Sequence, residues 1–181
     1  MINEYESRTS SGSDANITSG TDIDNDSVIS TLNGLIETCK DGQEGFRQAA
    51  EGVQRSDLKS LFYEYSQQRA QFTGELQKLV EGLGGDPQNS GSVAGTLHRG
   101  WINIKSAVTG KDDGAILNEC ERGEDSAKNT YKDALETPMP EYIKETIRTQ
   151  YAAVQEAHDR VKALRNAANN EDNAASSAST R

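Results

Sequence analysis

The sequence has little of what stops helices and little of what staples small domains: 3 prolines and 2 cysteines in 181 residues. Two cysteines cannot hold a disulfide scaffold, and their scarcity points to a reducing cytoplasm. Long apolar runs are missing, so no segment reads as a membrane-spanning helix. Met1 is followed by polar and acidic residues instead of a basic start and an apolar run, so a chain without a secretory signal is expected. Basic residues are the minority, 19 Lys and Arg against 29 Asp and Glu, for a formal net charge of -10. Such a balance repels phosphate backbones and disfavours a nucleic-acid partner. Gly82, Gly84 and Gly85 are not followed by the Lys-Ser/Thr of a phosphate-cradling loop, and there is no Gly-x-Ser-x-Gly elbow. No small-molecule substrate is identifiable.

Residues 1–25 are dominated by Ser, Thr, Asp, Asn and Gly around an isolated Ile17 and Ile23, and residues 169–181 are similar. Neither stretch buries enough apolar surface to offset the entropy of ordering it, so both are expected to be disordered tails. The 33% apolar content is concentrated between them, at 26–168. That suffices for one narrow core and not for a two-layer α/β domain.

Within 26–168 the periodicity is helical. A first stripe runs Val28, Leu32, Leu35, Ile36, Cys39, Phe46, Ala50 and Val53, with Asp26 and Ser27 as cap chemistry. After a break at Gln54 and Arg55, Ser56 is placed to cap a second stripe: Leu58, Leu61, Phe62, Tyr65, Phe72, Leu76, Leu79, Val80 and Leu83. Gly84, Gly85, Asp86 and Pro87 end it. A third helix starts at Asp112 or Asp113 and carries Ile116, Cys120, Ala127, Tyr131 and Leu135. Pro138 and Pro140 break it, and Pro140 suits the first position of a fourth helix, with Ile143, Ile147, Tyr151, Val154, His158, Val161 and Leu164. About 25 residues separate the second and third helices, too many for a tight turn. They include a small amphipathic segment, Val93, Leu97, Trp101, Ile104 and Val108, whose Trp101 is expected to pin the crossover to the helices. No stretch alternates with period two, so the fold class is all-α. Two short connections flanking one long crossover is the plan of a ferritin-like four-helix bundle.

The two halves of this unit look alike. Cys39 and Gly42 match Cys120 and Gly123 at an offset of 81, and Leu61, Tyr65, Gln68, Phe72 and Leu79 match Ile143, Ile147, Gln150, Val154 and Val161 at 82. A duplicated helical hairpin explains this; so does the ease of aligning amphipathic helices. Gly42 and Gly123 each cost a helix interior about 1 kcal/mol against Ala, which close packing at those points would offset.

Four stretches are more specific: DGQEGFRQAAEGV at 41–53, LHRGWINIKSAVTGKD at 97–112, ILNECERGED at 116–125 and AAVQEAHDRVKAL at 152–164. Together they resemble a bacterial family of ferritin-like four-helix-bundle proteins of unestablished function, over roughly residues 26–168. The resemblance implies the fold. Through distant relatives such as ferritins, bacterioferritins and rubrerythrins, it also raises a pair of bundle-held irons, a link to stress and, as often in such bundles, a homodimer.

A ferritin-like di-iron site takes one Glu from each of two helices and Glu-x-x-His from each of the others. The fourth helix offers Gln155-x-x-His158, with an amide in the carboxylate's place, and the third offers Glu121 and Glu124. Glu156 can assist. These make one half-site for iron or another divalent metal. The mirror half is poor, with Glu37, Glu44, Glu64 and Gln68 as contributors after a one-turn shift, and none makes Glu-x-x-His. Of the 2 histidines the second, His98, lies on the crossover. Three readings follow: a non-catalytic or weakly metal-binding accessory protein; a di-metal oxidase or peroxidase of the rubrerythrin kind; and a helical self-association module. In the first, His158 can equally be a core histidine bonded to a carboxylate of the third helix, with Glu121 and Glu124 in structural ion pairs.

Overall fold

A computed structural model describes residues 23–87, 101 and 103–178, with side chains to 170. The chain is all-α, with five helices and no strand among the described residues: α1 Asn25–Gly52, α2 Ser56–Gly82, α3 Ile104–Gly110, α4 Asp113–Glu136 and α5 Glu141–Ala178. Val93, Leu97, His98 and residues 1–22 lie outside the described residues.

The local chemistry explains the helix ends. Asp24, two residues ahead of the expected cap, accepts from the Asp26 amide at 3.1 Å. Ser56 is the first residue of α2 and makes no cap; Arg55 stands at that position without a side-chain cap bond. The turn between α1 and α2 is instead held from α4, where the Asp113 carboxylate accepts from the amides of Gln54 at 2.7 Å and Arg55 at 3.2 Å. Gly84, at φ 79°, closes α2: its amide donates to Glu81 and that of Gly85 to Val80. Only a residue without Cβ enters that left-handed turn without strain. Asp112 caps α4 by accepting from Gly114 at 2.9 Å and Ala115 at 3.2 Å. Pro140 precedes α5, and its carbonyl accepts from Ile143 and Lys144.

The expected end of the last helix at 168 is corrected: α5 continues to Ala178. Extending a formed helix adds one hydrogen bond per residue fixed, so the helix runs on through a stretch of Asn, Asp and Ser whose own helix propensity is low.

Cross-helix contacts give the order of packing. Thr31 meets Thr137, Cys39 meets Tyr131, and the backbone at Gln54 meets Asp113, so α1 and α4 are antiparallel. Gln150 contacts Tyr131 on α4 and Glu75 on α2. Farther along α5, His158 meets Asp125 and Arg165 meets Glu121, so α4 and α5 are antiparallel too. The Leu61 end of α2 lies near Ala163 and its Leu79 end near Tyr142, which makes that pair antiparallel. α2 and α4 therefore run the same way, with the end of α2 and the start of α4 at opposite ends of the helices. α3 packs on α1 and α4.

Two apolar clusters fill the interior. One centres on Leu32, Leu35, Ile36, Leu76, Ile143 and Ile147. The other centres on Phe46, Leu58, Phe62, Ile116, Leu117 and Val161. Polar side chains lie where the clusters meet, and the candidate site is built from them.

Candidate functional site

Arg69 is the largest side chain in the fully buried set, at 1% exposure. It lies on the inner face of α2, seven residues from Phe62 and seven from Leu76. A Cβ on Gly42 would stand 3.4 Å from the Arg69 Cγ, so the mid-helix glycine on α1 leaves ordinary contact room for this side chain. The guanidinium carbon sits 5.8 Å from the Phe46 ring centroid and 5.6 Å from that of Phe72, one ring from each cluster. Its Nη2 donates to Glu124 Oε2 at 2.5 Å, and its Nη1 to Gln68 Oε1 at 2.6 Å. Glu124 is 1% exposed. Burial pushes its carboxyl above the ordinary range, and the adjacent guanidinium pulls it back down. Glu124 Oε1 and Arg69 Nε have no hydrogen-bond partner.

A second chain of polar groups runs beside this pair. Tyr131 donates to Gln150 Oε1 at 2.8 Å, and Gln150 Nε2 donates to Glu75 Oε2 at 2.8 Å. With its single proton so used, the Tyr131 oxygen accepts from the Cys39 thiol at 3.1 Å. Burial raises the Cys39 thiol to about 11 and the Cys120 thiol well above its ordinary range. Both are free and belong to different clusters. A thiolate reagent should therefore leave both unmodified in the native protein and titrate two thiols after unfolding. Rapid native labelling would show that the helices open locally at these points.

The candidate metal ligands part company. Glu121 faces Arg165, with oxygens at 2.8 and 2.7 Å from its Nη2. Glu124 turns inward to Arg69 and does not join Glu121. His158 is 4% exposed and packs against α4, where its Nε2 lies 2.9 Å from Asp125 Oδ1. Its Nδ1 lies 2.9 Å from Asp159 Oδ1, and this contact holds the Asp159 carboxyl below its ordinary range. Gln155 and Glu156 are exposed, so the Gln-x-x-His spacing does not deliver both ends to one point. On the other two helices Glu44 and Glu64 are exposed, with Glu44 paired to Arg47. Glu37 pairs with Lys40, and Gln68 is taken by Arg69. The expected two-helix half-site is thus reduced to Glu121 and His158, and Asp125 is the residue that joins them. These three offer ligand atoms all within 4.8 Å of one another and can together hold a metal ion. The signal for Asp125 was its place four residues after Glu121, on the same face of α4.

The glycines have a further use. A Cβ on Gly45 of α1 would stand 2.2 Å from Trp101 Cδ2, and one on Gly123 of α4 would stand 2.3 Å from Trp101 Cε2. The indole of the crossover thus lies in a slot cut by two glycines, its edge on Phe46 at 5.0 Å. This is the pinning expected of Trp101, and it accounts for Gly123 by close packing. The matched Gly42 instead faces a polar neighbour.

A family model described as Domain of unknown function (DUF2383) matches residues 27–137, more than half of the chain. The chain belongs to this family. The DUF2383 region takes in α1 to α4 and with them Arg69, Glu121, Glu124, Asp125, Gly45, Gly123 and Trp101; α5, which brings His158 and Gln150, follows it. No curated protein matches the sequence.

Proposed function

We propose that this DUF2383 chain is a ferritin-like bundle whose central position is held by an internal ion pair, and that it acts in the cytoplasm as a non-catalytic accessory scaffold. The run of α2 and α4 in one direction, joined by a long crossover, supports the ferritin-like order. The observation that carries the functional reading is the Arg69–Glu124 pair. A di-metal centre needs converging carboxylates and imidazoles around a point that attracts cations. Here that point receives a fixed guanidinium, and a metal ion beside it would meet repulsion in a poorly screened interior. The neighbouring groups do not make up the difference. Tyr131, Gln150 and the Cys39 thiol are neutral donors and acceptors engaged with one another. His158, the one histidine among the described residues, is directed to the α4–α5 edge. Iron chemistry of the rubrerythrin kind does not fit these residues.

The test is iron(II) oxidation under oxygen with protein purified without chelators. The rate should equal that of protein-free buffer. Oxygen-dependent turnover with about two irons per chain would overturn the scaffold reading. A second reading, a homodimeric self-association module, draws on the face between α2 and α5. Tyr142 is 59% exposed there, beside a cleft of about 560 Å³ lined by Glu75, Leu79 and Thr146. Sedimentation equilibrium of wild type and Tyr142→Glu tests it: a dimer that the substitution splits supports this reading.

A further inference from the structure

Away from the central ion pair, α4 and α5 bring different ligand types to one place. Glu121 and Asp125 share a face of α4, and His158 reaches them from α5 with its ring almost wholly buried. Both ring nitrogens face carboxylates, Nε2 toward Asp125 and Nδ1 toward Asp159, each at 2.9 Å. A cation already stands beside this group: Lys128 Nζ lies 3.3 Å from Nδ1, 3.5 Å from Nε2 and 3.9 Å from Asp125 Oδ1. It is a compact charge on a flexible four-carbon stem, 26% exposed, and free to turn outward. Asp159 on Nδ1 also has the form of the outer carboxylate that fixes the tautomer of a ligating histidine and directs the Nε2 lone pair at the ion.

We propose that Glu121, Asp125 and His158 form a mononuclear site for a divalent first-row transition ion, with Asp159 orienting the imidazole and Lys128 as the internal cation that the metal displaces. One imidazole nitrogen and two carboxylates suit manganese(II) or zinc(II), with water completing the coordination. Arg165 Nη2 contacts both Glu121 oxygens and aims the carboxylate, each oxygen keeping a further lone pair for the ion, and at 25% exposure its charge is better screened by solvent than that of Arg69. This site lies at the α4–α5 edge, so it stands whether or not the bundle centre is catalytically inert.

The test is a manganese(II) titration of the full chain after chelator treatment, followed by pulsed electron paramagnetic resonance. One ion per chain should bind, with a nitrogen coupling from His158. His158→Leu should abolish that coupling. Asp125→Asn, at an exposed position that leaves the fold intact, should weaken binding at least about tenfold. Lys128→Met removes the competing ammonium and should strengthen binding by about tenfold. No saturable binding up to about 1 mM, a bound ion without nitrogen coupling, or affinity unchanged in Asp125→Asn would each overturn the site. Iron(II) oxidation, by contrast, bears on the scaffold reading alone. Should His158→Leu fail to fold, the wild-type nitrogen coupling and the two α4 variants still decide the matter.

Discussion

Arg69→Met alone is expected to lower stability by about 3–5 kcal/mol, because it leaves the Glu124 carboxylate buried without its partner. In a chain of this size that corresponds to a fall in melting temperature of roughly 10 °C. The double variant Arg69→Met, Glu124→Leu should regain most of the loss. Taking two charges out of water costs about as much as their attraction returns, so an apolar pair of similar volume is a fair replacement. Denaturant unfolding of wild type, both single variants and the double variant gives the coupling between the two positions. Additive losses would mean that Arg69 contributes through its stem and its stacking between Phe46 and Phe72, not through Glu124. The same variants probe the functional reading. If the guanidinium is what bars a metal from the centre, Arg69→Met should gain affinity for divalent cations there, and the double variant should lose that gain.

Trp101→Ala is expected to cost about 3 kcal/mol, the low end of the range for a large aromatic, since the indole is partly exposed. The lost contacts are with Phe46 and with the backbones beside Gly45 and Gly123. The converse substitution is more diagnostic. Gly45→Ala places a methyl 2.2 Å from the indole, and Gly123→Ala places one 2.3 Å away, distances that backbone-anchored atoms do not tolerate. Each should destabilise by about 1–3 kcal/mol in the wild-type background, as overpacking does. In the Trp101→Ala background the clash disappears, and the better helix propensity of Ala over Gly should make both substitutions neutral or mildly stabilising. Thermal melts of the four combinations for each glycine read this sign change directly. A penalty that persists without the indole would place the constraint in α1·α4 packing itself.

The helices and their stops were legible along the chain because they depend on local chemistry. Apolar spacing, Asp112 ahead of α4, and the Gly84–Gly85 turn each act within a few residues. Arg69 was less legible. It falls on the α2 stripe midway between Phe62 and Leu76, a position for an apolar side chain, but an arginine there is ordinarily assigned to the surface. Its partner, the opposing Gly42 and the flanking rings come from three other places in the sequence, and none of them marks it alone. The metal ligands show the same limit from the other side. The Gln155-x-x-His158 spacing suggested a shared inward face, yet α5 is rotated so that His158 meets α4 while Gln155 faces solvent.

By itself, then, the sequence determined that this protein is helical, where its helices begin and mostly where they end, and which faces are apolar. Those properties follow from hydrogen bonds and side-chain periodicity within one segment. Only the tertiary structure decided that Glu124 closes on Arg69, that Asp125 takes its place beside Glu121 and His158, and that Gly45 and Gly123 receive Trp101. Each of these outcomes turns on the rotation of one helix about its axis relative to another. Adjacent helical residues differ by about 100°, so a turn of one residue exchanges an inward carboxylate for an outward one. That angle is set by how all the stripes pack together.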